Sequence, residues 1–227
     1  MKPHRETHHT LTQGTDEWLQ ARCGVLTAST IGQLITPTTV KPAKNDKQRG
    51  LYAQLFAERV TGRVEPTYPT FAMQRGTLDE PVARDYYAST NLVNVTEVGF
   101  MRFTDGGIDL GYSPDGLVGD DGLIEIKSRS PQRQVTTIMA DKVPAENMAQ
   151  LQCGLLVSGR EWIDYVSYSA GLPLYEKRVH PDDKWQKALR EVAEMFGEWM
   201  TENLEAWESM VADLTPTEYV NEYGETV

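Results

Sequence analysis

Residues 108–127 read IDLGYSPDGLVGDDGLIEIK. Three short β-prone runs, 108–112, 116–118 and 123–127, are separated by turn residues, and Asp120-Asp121-Gly122 is a hairpin signal. Upstream, the spacing predicts helices over 15–23, with Thr15 as N-cap, 27–35, 51–60, stopped by Gly62, and 70–89, which contains Pro81. Residues 36–50 read as a basic loop carrying Lys41, Lys44, Lys47 and Arg49 against Asp46. Residues 92–103 alternate and read as a strand. Downstream come a helix over 148–157, two strands over 161–169 and 173–179, and a long helix over 182–214 with Trp185, Leu189, Val192, Phe196 and Trp199 at helical spacing. This order predicts one α/β domain over residues 1–214, with a central mixed β-sheet flanked by helices. Residues 1–14 are expected to be loose, and 215–227 form an acidic tail.

The same stretch carries the chemistry. Glu125 and Lys127 are two apart on a predicted strand, so they share a face. Asp115 opens the hairpin, and folding the hairpin back brings it beside Glu125. Two carboxylates on one face make a hard-oxygen site suited to Mg²⁺, with Mn²⁺ as the alternative, and the backbone carbonyl of Ile126 is a candidate third donor. An adjacent lysine holds the attacking water and offsets charge building on a phosphate. That is the equipment for metal-assisted phosphodiester hydrolysis. Asp-Gly turns and Glu-x-Lys pairs also occur on ordinary solvated faces, so the neighbours matter. Gly76 and Glu80 lie on the preceding predicted helix, where Glu80 is a candidate for the same metal site. Gln150 and Gln152 lie on the following one, where an amide can orient the water or the scissile phosphate.

Further motifs keep the same order. The N-terminal string runs Trp18-x-x-x-Arg22-x-Gly24-Val25-Leu26-Thr27-Ala28-Ser29. With Gly76 and Glu80, Ser113-Pro114-Asp115-Gly116-Leu117, Glu125-Ile126-Lys127 and Met148-Ala149-Gln150-Leu151-Gln152, it resembles the phage lambda exonuclease and YqaJ-type viral recombination nucleases, within the PD-(D/E)xK superfamily. The resemblance runs from about residue 18 to about residue 157. It implies a restriction-endonuclease-like core and a Mg²⁺-dependent 5′→3′ exonuclease that degrades one strand of linear double-stranded DNA and releases 5′-mononucleotides. By the same resemblance Asp115, Glu125, Glu80 and the Ile126 carbonyl hold metal, Lys127 and Gln150 serve the attacking water, and Arg22, Ser29 and Arg133 bind the 5′-phosphate or neighbouring DNA. It further implies a ring-shaped homotrimer, a single-strand annealing protein as partner, and a role in phage-type recombination inside the bacterial cytoplasm. Arginine suits a terminal phosphate because its planar fork makes bidentate bonds. The basic loop departs from the family pattern, with Gln48 where an apolar strand-splitting residue is expected, and the segment between Lys127 and Gln150 is shorter.

Composition bounds the alternatives. The chain has 227 residues and a formal net charge of −11. The charge is segregated: residues 176–227 hold 13 acids and 5 Lys/Arg, and no Lys or Arg follows Glu191. Any DNA contact is therefore expected from the earlier part of the chain. No apolar run approaches the roughly 20 residues of a membrane span, and no signal-peptide pattern stands at the N-terminus. Two cysteines, Cys23 and Cys153, cannot supply the four thiolates of an iron–sulfur exonuclease. The competing readings are a site- or structure-specific endonuclease with the same metal site, and a non-catalytic DNA-end-binding protein.

Overall fold

The computed structural model describes residues 3–65 and 68–220. In chain order the first half contains β1 (His4–His8), α1 (Asp16–Arg22), β2 (Leu26–Thr27), α2 (Ala28–Ile31), a 3₁₀ turn (Gly32–Leu34), β3 (Ile35–Thr36), β4 (Lys41–Pro42), α3 (Asp46–Thr61) and α4 (Phe71–Asn91). The second half contains β5 (Val95–Thr96), β6 (Phe100–Asp105), β7 (Ile108–Tyr112), β8 (Gly116–Val118), β9 (Gly122–Ser128), α5 (Pro131–Ala140), α6 (Ala145–Ser158), β10 (Trp162–Tyr168), β11 (Tyr175–Val179) and α7 (Asp183–Val211).

The fold is mixed α/β, with mixed sheets flanked by helices. The expected single central sheet is resolved into two. One has the strand order β1-β6-β7-β2 and the other β11-β10-β9-β8-β5, while β3 and β4 make a small separate pair. Most neighbours are antiparallel, but β2 lies parallel to β7 and β10 lies parallel to β9. The chain passes from the first large sheet to the second between Tyr112 and Gly116, through Ser113-Pro114-Asp115. The segment richest in candidate chemistry is thus the hinge between the sheets.

The alternation of β9 sorts its side chains between two layers. Leu123 joins the main core, with Leu151 of α6 and Leu189 and Phe196 of α7. Ile124 and Ile126 point the other way and pack with Ala83 and Tyr87 of α4. Glu125 is in phase with Leu123, so its carboxylate emerges on the α6 side. Helix α6 is buried around most of its circumference, Leu151 and Cys153 completely. Truncating a fully buried leucine such as Leu151 costs about 2–5 kcal/mol, so this helix is a rigid mount.

Several boundaries differ from expectation. Residues 4–8 are not loose. They form an edge strand paired with β6, with Arg5 over the Phe103 ring at 4.7 Å and bonded to the Leu156 carbonyl. The predicted strand over 92–103 splits into β5 and β6, which belong to different sheets. Gly99 breaks it, because its Cα lies so close to the Leu11 carbonyl that a Cβ would stand 2.1 Å from that oxygen. Helix α3 starts at Asp46, inside the stretch read as loop, where the Asn45 side chain caps it by accepting from Gln48 N–H. The predicted helix over 27–35 ends after one turn and a 3₁₀ segment, leaving Ile35 in β3. Part of the acidic tail, residues 221–227, lies outside the described residues. No helix among the described residues is long and apolar enough to cross a membrane.

Candidate active site

A cleft of about 290 Å³ opens where β9, the Ser113–Asp115 turn, α1, α4 and α6 converge. Its walls include Arg22, Ser29, Glu80, Asp115, Glu125, Ile126, Lys127 and Gln150. Eight of the nine residues singled out from the sequence therefore meet in one place. Arg133 does not. It lies on α5, in a separate depression shared with Arg129 and Lys142. It stands in the first turn of α5, which places it outside the cleft.

Glu125 is the fixed centre. It is 2% exposed, and a carboxylate so buried requires compensating donors. Three elements supply them. Tyr112 O–H donates to Oε2 at 2.9 Å, Lys127 Nζ donates to Oε1 at 2.7 Å, and Gln150 Nε2 donates to Oε1 at 2.5 Å. Asp115 is half-buried, and its Oδ2 accepts from Ile126 N–H at 2.6 Å. The turn is thereby pinned to the middle of β9.

The charges are strongly coupled. Burial and then the Glu125 charge push the Asp115 carboxyl well above the usual carboxylate range, with Lys127 opposing. Burial lowers the affinity of Lys127 for its proton, but the Glu125 and Asp115 carboxylates outweigh that and raise its pKa overall. Lys127 is therefore an ammonium at neutral pH, a donor and a counter-charge. Burial and the same two acids raise the Tyr112 phenol, so it stays protonated and donating.

On one flank, α1 carries a second charged group into the cleft. Thr15 caps this helix by accepting from Trp18 N–H. Trp18 Nε1 donates to Ser113 Oγ at 2.9 Å and to the Gly99 carbonyl, and Arg22 Nη1 donates to the same Ser113 Oγ at 3.0 Å. The Arg22 guanidinium also stacks on the Trp18 ring at 4.2 Å. Burial lowers its pKa to about 10, with Glu58 opposing, and it remains charged at neutral pH. Ser29 is exposed beside it, its Oγ 3.1 Å from Thr27 Oγ1. Arg22, Ser29 and Ser113 present one guanidinium and two hydroxyls, a set suited to phosphate oxygens.

On the other flank stands α4. Glu80 lines the cleft, but its Oε1 is bonded to Arg84 at 2.5 Å, and Arg84 Nε donates to the Asp115 carbonyl oxygen at 2.8 Å. Among the described residues no three of His, Cys, Asp and Glu form a ready-made cage for a metal ion. The acids that line the cleft, Asp115, Glu125 and Glu80, offer hard oxygen, and Ile126 lies between Glu125 and Lys127 on the same wall. That chemistry fits Mg²⁺ or Mn²⁺ and does not fit a thiophilic metal.

Sequence reasoning missed the bonds made by Tyr112, Ser113 Oγ and Arg84. Tyr112 precedes the Ser-Pro-Asp turn, and its strand pattern alone does not reveal a polar partner. Arg84 was legible as the i+4 partner of Glu80.

The chain matches the YqaJ-like viral recombinase domain over residues 17–161. No curated protein matches it. Among solved structures it is similar to the alkaline exonuclease LHK-Exo from Laribacter hongkongensis, at 34% identity and a TM-score of 0.76, covering 88% of this chain and 100% of that one. The same exonuclease crystallised with dAMP gives a TM-score of 0.78 at the same identity and coverage. A phage-related exonuclease from Haemophilus somnus 129PT shares the fold at 13% identity, with a TM-score of 0.52 and coverage of 79% of this chain and 96% of that one.

Proposed function

The chain belongs to the YqaJ-like viral recombinase family, and on that premise we propose that it is a Mg²⁺-dependent 5′→3′ exonuclease acting on linear double-stranded DNA from 5′-phosphorylated ends. Family membership and the likeness to an alkaline exonuclease support a phage-type exonuclease. The observation that carries the finer reading is the pairing, in one cleft, of the Asp115–Glu125–Lys127–Gln150 cluster with the Arg22–Ser29–Ser113 group. The first suits phosphodiester hydrolysis and the second suits a terminal phosphate. Release of 5′-mononucleotides agrees with dAMP being the molecule crystallised with LHK-Exo.

In this reading Asp115, Glu125 and the Ile126 carbonyl hold the cation, with Glu80 as a further ligand. When bound, the cation polarises the scissile phosphate and lowers the pKa of water. The protein's own groups do the remaining work. Lys127, kept protonated by its carboxylate neighbours, offsets negative charge developing on the phosphate. Gln150 and Tyr112 fix the Glu125 carboxylate so that it need not reorganise during the reaction. Arg22, Ser29 and Ser113 hold the 5′ end and set which bond lies over the acids. Arg133, with Arg129 and Lys142, is placed to meet backbone phosphate outside the cleft. The proposal includes a ring-shaped homotrimer, which sedimentation would report as three times the 25.5 kDa chain. It also includes a single-strand annealing protein as partner in recombination.

The decisive experiment compares linear duplex DNA bearing 5′-phosphate, the same DNA bearing 5′-hydroxyl, and a covalently closed circle, each with Mg²⁺. Digestion of the phosphorylated linear substrate, slow digestion of the hydroxyl form and an intact circle support the proposal. Cutting of the circle identifies an endonuclease instead. Binding to ends without cleavage, with Mg²⁺ or Mn²⁺ present, identifies a non-catalytic end-binding protein.

A further inference from the structure

Arg84 touches both acidic walls of the cleft. It lies one helical turn after Glu80 on α4, across Pro81, and its side chain is 12% exposed. Each guanidinium nitrogen is committed. Nη2 bonds Glu80 Oε1 at 2.5 Å, Nε donates to the Asp115 carbonyl at 2.8 Å, and Nη1 lies 2.9 Å from Glu97 Oε1. The planar fork thus joins helix α4, the hinge turn between the sheets and the loop between β5 and β6.

The contacts divide the labour of the Glu80 carboxylate. One oxygen is anchored on Arg84, while Oε2 carries no hydrogen bond among the described residues. A glutamate on a helix surface has three rotatable side-chain bonds, and ordering it costs entropy. Anchoring one oxygen on a nearly buried guanidinium meets that cost before any ligand arrives. The bond to the Asp115 carbonyl ties the position of this anchor to the turn that carries the opposing acid. Glu97 matters for charge. As a second carboxylate on the same guanidinium, it keeps Arg84 from neutralising Glu80 fully, so Glu80 retains attraction for a cation.

We propose that Arg84 is a positioning residue for the cation site, holding Glu80 by one oxygen, leaving the other to a hard cation, and fixing Glu80 relative to Asp115. The inference rests on reading Asp115, Glu125 and Glu80 as cation ligands. Lysine cannot replace this arginine, because an ammonium lacks the planar three-way geometry.

The test is calorimetric titration of Mn²⁺ into the full chain without DNA, for the wild type, Arg84→Lys, Arg84→Gln, Glu80→Gln and the Glu80→Gln/Arg84→Lys pair. Far-UV circular dichroism verifies folding, and Arg84→Gln keeps an amide donor for the Asp115 carbonyl should Arg84→Lys fail to fold. Both Arg84 variants are expected to bind Mn²⁺ about tenfold more weakly, as for other groups that orient metal ligands. In the Glu80→Gln background, Arg84→Lys is expected to add less than about twofold, because its effect passes through Glu80. Wild-type affinity in the folded Arg84 variants overturns the inference. So does a full additional loss in the Glu80→Gln background, which marks a general structural role. If Glu80→Gln itself binds Mn²⁺ as the wild type does, the ligand assignment beneath the inference is wrong. If Glu80→Gln weakens binding and the Arg84 variants do not, only the role of Arg84 fails.

Discussion

Asp115 shows how a single carboxylate can oppose the fold that holds it. Burial and Glu125 raise its pKa in the folded protein. A raised folded-state value means the group contributes most below its unfolded pKa, and that contribution is lost as pH rises through the folded value. Above its unfolded pKa the side chain therefore disfavours the native state, which resists its ionisation. Asp115→Asn is expected to raise stability by about 1 kcal/mol, or about 2–4 °C in Tm for a chain of this size, while lowering activity by about 10²–10³. Calorimetric melts in EDTA check the first half; a melt no higher than wild type refutes it. Arg22 gives a second residue-scale prediction. Arg22→Lys keeps the charge but loses the fork over Ser113, and the preference for 5′-phosphorylated over 5′-hydroxyl ends should fall about tenfold. Equal preference in wild type and variant would remove Arg22 from the phosphate pocket. At this scale the sequence was highly informative, because carboxylates and a lysine at fixed spacing on a strand must share a face. It did not show that Arg84 also reaches the Asp115 carbonyl and Glu97, or that Tyr112 bonds Glu125, because those contacts depend on how the strands and α4 pack.

Among the elements, the hairpins were the most legible. Their turns are local, so β8–β9 and β10–β11 followed from Asp-Asp-Gly and Ala-Gly. Helix α7 followed from its apolar periodicity, and α6 from a nearly continuous apolar run. The misreadings lie where tertiary contact decides. The run from 92 to 103 has strand chemistry throughout, yet the close approach of Leu11 at Gly99 divides it between sheets. Helix α5 was not foreseen although Ser130 caps it, Pro131 occupies its first turn, and Val135, Ile138 and Met139 keep helical spacing. Gly154, in the middle of α6, serves the site through packing. A Cβ there would stand 2.8 Å from Tyr112 Cζ. Gly154→Ala should gain about 1 kcal/mol of helix propensity and lose about 1–3 kcal/mol to overpacking, with the phenol displaced from Glu125. Reduced activity with little change in helix content is the expected result. Activity equal to wild type would show that the Tyr112 bond is dispensable.

For the whole molecule, charge placement governs the pH response. Burial raises the pKa of Glu80, with Arg84 opposing and Glu125 and Glu97 adding to the rise; Asp115 is raised as well. Cation binding requires these acids ionised. Nuclease activity should therefore fall on acidification at a pH above the roughly 4 of an ordinary carboxylate. Raising Mg²⁺ should move that limb toward acid, since cation and proton compete. A limb indifferent to Mg²⁺ would assign the titration to other groups. The acid-rich segment from Glu176 onward, without Lys or Arg after Glu191, repels phosphate, so DNA is expected to approach from another face.

Glu125 draws its three donors from β7, β9 and α6. It follows that no single hairpin or helix pair contains a working centre, and that a nascent or half-melted chain has no blade. A centre assembled from three elements is complete only in the packed fold. In a urea titration, loss of nuclease activity should coincide with loss of the near-ultraviolet signal of the packed aromatic residues. Activity that outlasts that signal would show that the blade can be held by fewer parts.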